Sequence, residues 1–247
     1  MKVLATYNIK GGVGKTATAV NLAHLAAEGG ARTLLGDLDP QGASTFYYRV
    51  KPKVKGGGKG LITGKRELDD VIKGTDFEGL DLIPADFSYR NLDLVLDAAK
   101  KPTRRIAQLL KPMKREYDYV FLDCPPSISL ASESVFEAAN ALLVPIIPTT
   151  LSLRTFDQLD TFLEREDWRS RPKVFGFFSM VDGRKRLHRD MVAKMRAARP
   201  DLLETQIPAA SVVEQMGEYR APVVTFAPRS RSATAYRALW AEVQQHL

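Results

Sequence analysis

Lys10-Gly11-Gly12-Val13-Gly14-Lys15-Thr16 is the stretch of sequence that decides the fold of this chain. An apolar run over residues 3–9 precedes it and predicts a buried strand, while residues 17–23 follow it as the start of a helix. A glycine-rich turn between a strand and a helix is the context of a phosphate-binding loop. Its glycines let backbone N–H groups converge on phosphate oxygens, and the helix N-terminus adds a partial positive charge. We therefore expect residues 10–17 to bind the phosphates of a nucleotide.

Two side chains at the end of this loop have distinct expected roles. Lys15 is a point charge that can neutralise the β- and γ-phosphates. The hydroxyl of Thr16 is an oxygen ligand of the kind that Mg²⁺ takes in phosphate-binding loops. ATP and Mg²⁺ are therefore the predicted cofactors.

The loop also departs from the strict pattern, because Ile9 stands where the first glycine is expected and Lys10 adds a second lysine. In these features it resembles the deviant Walker A motif of the ParA/MinD family of ATPases. The resemblance implies that Lys10 reaches across a dimer interface to the partner's nucleotide and acts in catalysis with Lys15. Gly12 has no side chain, which would let the second subunit approach the phosphates closely.

Two further strand ends carry carboxylates that fit the same resemblance. Residues 33–42 (TLLGDLDPQG) are an apolar run ending in two aspartates and a turn, and residues 119–126 (YVFLDCPP) are another that ends in Asp123. The resemblance implies that Asp39 positions the attacking water and that Asp123 holds Mg²⁺ together with Thr16. One aspartate at a strand end is usually a turn former or a helix cap. Two of them, in the expected order after a phosphate-binding loop, favour the functional interpretation.

The chain departs from the family pattern at two places. Ala17 stands where many relatives have a threonine that touches the α-phosphate, so that contact is left to the backbone N–H. Near Pro208, where the resemblance implies nucleotide contacts, residues 207–212 (IPAASV) lack the arginines that many chromosomal relatives carry. The arginine contacts that the family usually makes with adenine and DNA in this segment are therefore not expected here.

The order of elements predicts an α/β protein with a doubly wound, mostly parallel sheet and helices on both faces. With 247 residues, 45% hydrophobic content and no linker rich in serine, glycine or proline, the chain is expected to form a single P-loop ATPase domain over residues 1–247. Such a sheet binds its ligand beyond the carboxyl ends of its strands. The predicted strands lie near residues 2–9, 32–38, 80–84, 118–123, 141–147, 173–180 and 222–226. The predicted helices lie near residues 15–28, 88–99, 103–115, 130–139, 154–165, 186–198, 210–217 and 232–246.

Cysteine and histidine usage argues against other classes of site. The single cysteine, Cys124, excludes a disulfide framework and disfavours the related iron–sulfur reductases, which need two cysteine ligands per subunit. It is expected to be a small buried hydrophobe. The three histidines are far apart in the sequence and suggest no metal site.

The chain ends and hydropathy predict a cytoplasmic, nucleoid-associated protein. Met1 leads directly into a strand, which indicates neither a signal peptide nor an N-terminal helix-turn-helix domain. No apolar run is long enough to span a membrane. The last helix, over residues 234–247, offers Arg237 opposed by Glu242 rather than the basic polar face of a membrane anchor. Docking onto the sheet is its predicted role, through Tyr236, Leu239, Trp240, Val243 and Leu247.

The net charge of +7 is unevenly distributed along the chain, and two basic segments are candidates for a binding surface. Residues 49–66 hold seven lysines and arginines and no acid, and their glycines suggest a mobile surface loop. Residues 182–199 hold seven basic groups against two aspartates, on a helix whose apolar face is predicted to be Leu187, Met191, Met195 and Ala198. Solvated faces that support solubility are the simpler interpretation. The resemblance favours sequence-independent DNA binding instead, with residues 49–66 as an alternative surface and the predicted contacts being Arg184, Lys185, Arg186 and Arg189.

The resemblance implies an ATPase, weak without a partner, that cycles between a monomer and a nucleotide-sandwich homodimer. The dimer is expected to bind DNA non-specifically, and a ParB-like or cargo-adaptor protein is expected to stimulate hydrolysis. The cargo is a plasmid, a chromosome origin or a protein assembly. Two alternatives stay open: a MinD-like membrane-cycling ATPase that regulates cell division or polar placement, and a metabolic P-loop ligase or kinase.

Overall fold

The fold is described from a computed structural model, which covers residues 1–165, 168 and 171–247. Its strands are β1 Lys2–Thr6, β2 Thr33–Asp37, β3 Lys73–Gly74, β4 Leu80–Ile83, β5 Tyr119–Asp123, β6 Ala141–Ile146, β7 Lys173–Val181 and β8 Gln206–Pro208. Its α-helices are α1 Lys15–Glu28, α2 Ala43–Tyr47, α3 Gly57–Ile62, α4 Leu92–Asp97, α5 Arg105–Leu110, α6 Leu130–Ala138, α7 Thr150–Arg165, α8 Arg186–Ala198, α9 Ser211–Glu214, α10 Met216–Tyr219, α11 Val223–Phe226 and α12 Arg231–His246. Short 3-10 turns lie at Phe87–Asn91, Pro102–Arg104 and Pro112–Arg115.

One sheet joins the strands in the order β3-β4-β2-β5-β1-β6-β7-β8. Neighbouring strands are parallel throughout, except that the short β3 runs antiparallel to β4. The central strands are buried along their whole length because helices cover both faces, and this explains their continuous apolar runs. One face packs against α1 and α12, and the other packs against α5, α6 and α7. The predicted α/β class with a mostly parallel sheet is confirmed.

Strand register brings the functional carboxylates to one edge. Asp123 at the end of β5 is paired in register with Thr6 on β1 and with Asp37 on β2. Because these strands are parallel, the loops that follow them all leave the sheet at its carboxyl edge. The phosphate-binding loop follows β1 there, and Asp39 follows β2.

The predicted strand at residues 222–226 is wrong. The β-branched run that suggested it begins after Pro222 and forms α11, with the Ala227 N–H donating to the Val223 carbonyl at 3.0 Å. Val223 and Val224 are buried, but they are buried in the core beside α1 and α12 rather than in the sheet. The sheet ends instead at β8, which is too short to give a clear period in the sequence, and β3 was missed for the same reason.

The predicted mobile loop at residues 49–66 is also wrong, because its centre forms α3. The Val54 N–H donates to the Asp86 carboxylate at 2.9 Å, and the Gly58 N–H donates to the Ser88 hydroxyl at 2.8 Å. Leu61 is buried with its neighbour Ile62. The glycines permit close packing here, since a Cβ at Gly58 would meet the Tyr89 ring at 2.8 Å.

Three predicted helices are interrupted. The helix at residues 88–99 becomes a 3-10 turn followed by α4, and that at 210–217 divides into α9 and α10. The helix at 103–115 is broken near Pro112, which has no N–H to continue the hydrogen-bonding pattern of α5.

The two helices with predicted amphipathic faces differ in outcome. The face of α12 is confirmed, since Tyr236, Leu239 and Val243 are buried and Trp240 stacks edge-on against Tyr119 of β5. The face of α8 is partly wrong: Met195 is buried, but Leu187 is 59% exposed and Ala198 is exposed. His188 takes the buried position instead, where its Nδ1 accepts the Asp182 N–H at 3.1 Å. Within the described residues, no helix has the length and apolar character needed to cross a bilayer.

Candidate nucleotide-binding site

The loop between β1 and α1 has the backbone geometry of an anion cradle. Gly12 and Gly14 adopt left-handed conformations with φ of 69° and 96°. Gly14 is the N-cap of α1 and supplies no side chain, so the first N–H groups of that helix are left for a ligand. A side chain at Gly14 would meet the Ser179 hydroxyl of β7 at 2.9 Å, whereas nothing lies within 4 Å of a Cβ at Gly12. The exposed Gly11 and Gly12 and the buried Val13 complete the turn.

The two lysines of the loop lie in different environments. Lys15 is 7% exposed, and its ammonium donates to the Lys10 carbonyl at 3.1 Å, inside the turn. Burial lowers the pKa of Lys15, while Asp123, Cys124 and Asp39 act in the opposite direction. Lys10 is half-exposed; its backbone N–H donates to the Asn8 side chain at 2.9 Å, and its ammonium has no partner among the described residues. The loop therefore holds one enclosed charge and one that is free to meet another molecule.

Asp123 lies at the centre of the candidate metal site. It is fully buried, and it accepts hydrogen bonds from the Ser44 hydroxyl at 2.8 Å and from the Thr6 hydroxyl at 3.3 Å. Burial raises the pKa of Asp123, and hydrogen bonds from Ser44 and Thr16, with the Lys15 charge, oppose that rise. The structure thus brings together Thr16, Lys15 and Asp123, as the sequence predicts.

Asp37 is a second buried carboxylate, for which no role was predicted from the sequence. It accepts the Thr45 hydroxyl at 2.7 Å and the Thr45 N–H at 2.8 Å. Burial and the neighbouring Asp123 raise the pKa of Asp37. These bonds fix the start of α2 and the turn that carries Asp39. The signal available in the sequence was its position, two residues before Asp39 at the end of an apolar run.

Asp39 is placed on the turn between β2 and α2, half-exposed and facing the loop. Its carboxylate accepts the Gln41 N–H at 2.9 Å, and its carbonyl accepts the Gly42 N–H at 2.9 Å. Gly42 has φ of 68°, which only a glycine adopts without strain, and it is the N-cap of α2. A half-exposed carboxylate on a fixed turn is accessible to water, which is the property that its predicted role requires.

The donor set fits Mg²⁺ better than a metal bound entirely by protein. No group of three or more histidine, cysteine or acidic side chains in the described part of the chain could hold a metal ion. Mg²⁺ is usually held by one or two protein oxygens together with substrate phosphates and water. The Thr16 hydroxyl and the Asp123 carboxylate, which lie close together at the start of α1, would supply that set.

Pro208 and Ala17 are the two remaining residues that the sequence predicts to contact the nucleotide. Pro208 ends β8 in register with Val181 of β7, so it also reaches the carboxyl edge. Ala17 is half-buried, and its carbonyl accepts the Asn21 side chain at 2.8 Å. Cys124 is buried as predicted, and burial raises the pKa of its thiol far above the ordinary value.

Two arginines for which no role was predicted connect α2, which follows the Asp39 turn, with α10, which follows Pro208 in the chain. Arg49 follows α2 and donates to the Tyr219 carbonyl at 3.1 Å, while Arg220 follows α10 and donates to the Phe46 carbonyl at 3.1 Å. Both arginines have positive φ, 59° and 48°. Each guanidinium therefore caps the carboxyl end of the helix that precedes the other arginine, where a positive charge is favourable.

The predicted DNA contacts lie apart from these residues, in the turn after β7 and on α8. Arg184 is 92% exposed and pairs with Asp182 at 3.0 Å, and Arg186 is 87% exposed and pairs with Asp190 at 3.4 Å. Arg189 donates to the Gly183 carbonyl at 2.8 Å, and Lys185 is exposed.

Comparison with known proteins gives a consistent set of relatives. Residues 1–174 match the family described as AAA domain. The chain is 30% identical over 247 residues to the sporulation initiation inhibitor protein Soj of Bacillus subtilis, covering 98% of each chain. It is 31% identical to the chromosome partitioning protein ParA of Caulobacter vibrioides, covering 98% of this chain and 94% of the relative. Among solved structures, cobyrinic acid a,c-diamide synthase from Mycobacterium smegmatis with bound ADP and magnesium is similar at a TM-score of 0.82 and 27% identity, covering 100% of this chain and 95% of that one.

The match over residues 1–174 contains the phosphate-binding loop, Asp39 and Asp123, and the relatives align along almost the whole chain. The chain therefore belongs to the ParA/MinD family of P-loop partition and positioning ATPases, and within it to the small Soj-like type.

Proposed function

We propose that this protein is an ATPase that forms an ATP-dependent sandwich dimer, binds DNA non-specifically, and positions or segregates a cargo. The observation that carries the proposal is the contrast between the two loop lysines. Lys15 is enclosed by the loop, whereas the Lys10 ammonium has no partner among the described residues and lies beside the open, exposed Gly12. A nucleotide bound to one subunit then leaves one cation available to the nucleotide of a second subunit.

ATP and Mg²⁺ are the cofactors of this site. Lys15 and the N–H groups at the start of α1 bind the phosphates, while Thr16 and Asp123 hold the metal ion. Mg²⁺ supplies charge neutralisation on the transferred phosphoryl group when it is bound. Asp39 orients the attacking water, and Lys10 of the second subunit adds positive charge where negative charge develops. The buried Asp37 fixes the Asp39 turn through its bonds to Thr45.

Because Lys15 acts on the nucleotide of its own subunit and Lys10 on that of the partner, hydrolysis is switched on by dimerisation. Nucleotide binding depends on residues of one subunit, whereas efficient hydrolysis depends on a residue of the other. Hydrolysis is therefore weak in the monomer, and a ParB-like or cargo-adaptor partner stimulates it in the dimer. The name of one relative, the chromosome partitioning protein ParA, and the similarity to Soj support a partition role. A cytoplasmic, nucleoid-associated location follows from the proposed DNA binding.

Light scattering after size exclusion, with ATP, ADP or no nucleotide, tests the proposal. The expected result is a dimer with Mg-ATP and a monomer in the other samples. Fluorescence anisotropy with two unrelated DNA duplexes should then show binding only with ATP and with equal affinity for both. Lys15→Ala is the control that should fail in both assays. A wild-type protein that stays monomeric with ATP, or that binds anionic vesicles in place of DNA, contradicts the proposal.

One solved structure favours a second candidate of another class. The Mycobacterium smegmatis protein is named as an amide synthase acting on an acid, and it has 27% identity to this chain. A metabolic enzyme of that kind would turn over ATP in the presence of a small carboxylic acid, without DNA or a second protein. ATP turnover that rises with such an acid and ignores dimerisation would support this candidate over partition.

A further inference from the structure

A third basic segment, at residues 100–115, holds seven lysines and arginines and no acidic residue. It forms a 3-10 turn, α5 and a second 3-10 turn. Its apolar side chains Ile106, Leu110 and Met113 are buried in the core on one face of the sheet. The basic side chains are consequently directed to the solvent side of a rigid, packed element.

Four of these cations share one groove. Lys101, Arg104, Lys111 and Lys114 line a surface groove of about 600 Å³, together with Ala107, Gln108 and Glu137. Positions three and four apart fall on one face of a helix, and residues 101, 104, 108, 111 and 114 follow that spacing. We call these lining residues the α5 groove.

The cations of the α5 groove are not neutralised by the protein. In the described ranges, none of the four makes an ion pair or a side-chain hydrogen bond, and Glu137 is the only acid in the groove lining. The arginines near α8 differ: Arg184 and Arg186 are paired with aspartates, and Arg189 is bonded to a backbone carbonyl. Both segments hold seven basic residues, but the α8 segment also contains the two aspartates that pair with its arginines, whereas the charge of the α5 groove stays available.

We infer that the α5 groove is the main contact surface for the phosphate backbone of duplex DNA, an inference that rests on the proposed function and gives α8 a secondary part. Residues 101 to 114 extend over roughly 20–26 Å, from about 1.5–2.0 Å per residue. One DNA strand presents a phosphate about every 3.4 Å along the axis, so a stripe of this length spans about six to eight phosphates of one strand, and those on the near side of the duplex face it. Contacts of lysine and arginine with phosphates carry no sequence information, which matches non-specific binding.

The packing of the segment distinguishes DNA from a membrane as the polyanion. A helix that binds a lipid surface inserts its apolar face into the bilayer. The apolar face of this segment is instead packed in the protein core, where Ile106, Leu110 and Met113 are 4%, 3% and 1% exposed. The groove offers charge alone.

Residues 49–66 lie beside this surface and extend it. The Arg105 guanidinium donates through Nε to the Ile62 carbonyl at the end of α3, at 3.0 Å. Lys51, Lys53, Lys55 and Lys59 are exposed on the same segment. These lysines add to the positive field around the groove without lining it.

The test compares two double variants that each remove two charges: Lys111→Gln with Lys114→Gln in the α5 groove, and Arg186→Gln with Arg189→Gln on α8. Anisotropy with two unrelated duplexes is measured with ATP across a salt series. Because each phosphate contact contributes about 0.9 to the slope of log affinity against log salt, the groove variant should lose about 1.8 from that slope per contacting protomer. At 0.1 M salt this is a loss on the order of 10²-fold, while the α8 variant should lose less than about tenfold.

Each outcome separates the inference from the proposed function. Light scattering must show that both variants dimerise with ATP, which establishes that the fold and the nucleotide site are intact. If wild-type protein binds DNA but the α8 variant or a Lys53→Gln, Lys55→Gln variant loses more than the groove variant, the inference is overturned and the proposed function stands. Absence of ATP-dependent DNA binding by wild-type protein, or binding to anionic phospholipid vesicles in its place, overturns both.

Discussion

The carboxyl edge of the sheet and the basic surface segments obey different rules. At the carboxyl edge, Lys15, Asp37 and Asp123 are buried, and each has partners that the local backbone positions. The basic segments at residues 182–199 and 100–115 each hold seven lysines and arginines, but they differ in whether those side chains form ion pairs. Arginines near α8 are paired, whereas the cations of the α5 groove are not. The role of a buried charge is therefore predicted by a short motif, while the role of a surface charge depends on whether an acid lies within reach of it, as Asp182 and Asp190 do near α8.

The largest effect should follow from removing the enclosed charge of the carboxyl edge. Lys15→Ala should abolish measurable nucleotide binding, because Lys15 is the only ammonium held inside the loop. Lys185→Ala removes an exposed lysine and should leave nucleotide affinity unchanged. Titration with a fluorescent ATP analogue measures both. Similar affinities for the two variants would show that enclosure in the loop does not determine the role of a lysine.

A second large effect should separate hydrolysis from binding at the same edge. Asp39→Ala removes the group that orients water but leaves Lys15, Thr16 and Asp123 to hold Mg-ATP. Turnover should fall by ~10²-fold or more, the usual scale for a lost positioning or proton-transfer group. The variant should accumulate as an ATP-bound dimer in light scattering, and Asp69→Ala, at an exposed aspartate, is the control. A monomeric Asp39→Ala protein in ATP would contradict the assigned role.

Gly12→Val tests the interface from its backbone side. The branched side chain should block close approach of a second subunit while much of the affinity for ADP remains. Gly64→Val is a matched control, because Gly64 is also exposed, has φ of 73° against 69° at Gly12, and has nothing within 4 Å of its Cβ. Both variants carry the same backbone strain, so only a loss of dimer specific to Gly12→Val supports the sandwich. Equal dimerisation of the two variants with a non-hydrolysable ATP analogue would refute it.

The smallest effect concerns folding stability and compares a paired arginine that is largely buried, Arg199, with one that is exposed, Arg186. The Arg199 side chain is 23% exposed, bonds Asp201 at 2.8 Å and Asp160 at 3.0 Å, and lies over the Phe156 ring. Arg199→Ala should lower the free energy of unfolding by about 1–3 kcal/mol, since it removes the bonds to Asp160, which is 24% exposed, and to Asp201, together with the packing on the Phe156 ring. Arg186→Ala, at an exposed pair, should cost less than about 0.5 kcal/mol. Urea denaturation checks the order, and a reversed order would show that exposure does not govern these pairs.

The sequence predicted well the helices in which apolar residues recur at helical spacing over several turns, and the segments that carry a local motif. The boundaries of α1 and α8 and the buried face of α12 follow from apolar spacing and agree with the structure. The loop, Asp39 and Asp123 could be placed because each follows a buried strand directly.

The errors arose where tertiary contacts override local preference. Residues 223–226 have the composition of a strand, but they begin after a proline and pack beside α1 and α12. Residues 49–66 have the glycines of a mobile loop, but Asp86 and Ser88 bind their N–H groups and fix α3. The ion pairs of Arg184 and Arg186 are local, with aspartates two and four residues away, so this neutralisation was visible in the sequence. The α5 groove was not, because its lining depends on how the segment packs against Glu137 of α6.

The central claim is that Lys15 binds the nucleotide of its own subunit and that Lys10 acts only on the nucleotide of the partner. The most direct measurement is an ATP titration of monomeric Lys10→Ala protein, followed by light scattering of the same samples. Lys10→Ala protein is expected to bind ATP with near wild-type affinity but to form no dimer and show no stimulated hydrolysis. A loss of affinity equal to that of Lys15→Ala, or a normal ATP-dependent dimer, would contradict it.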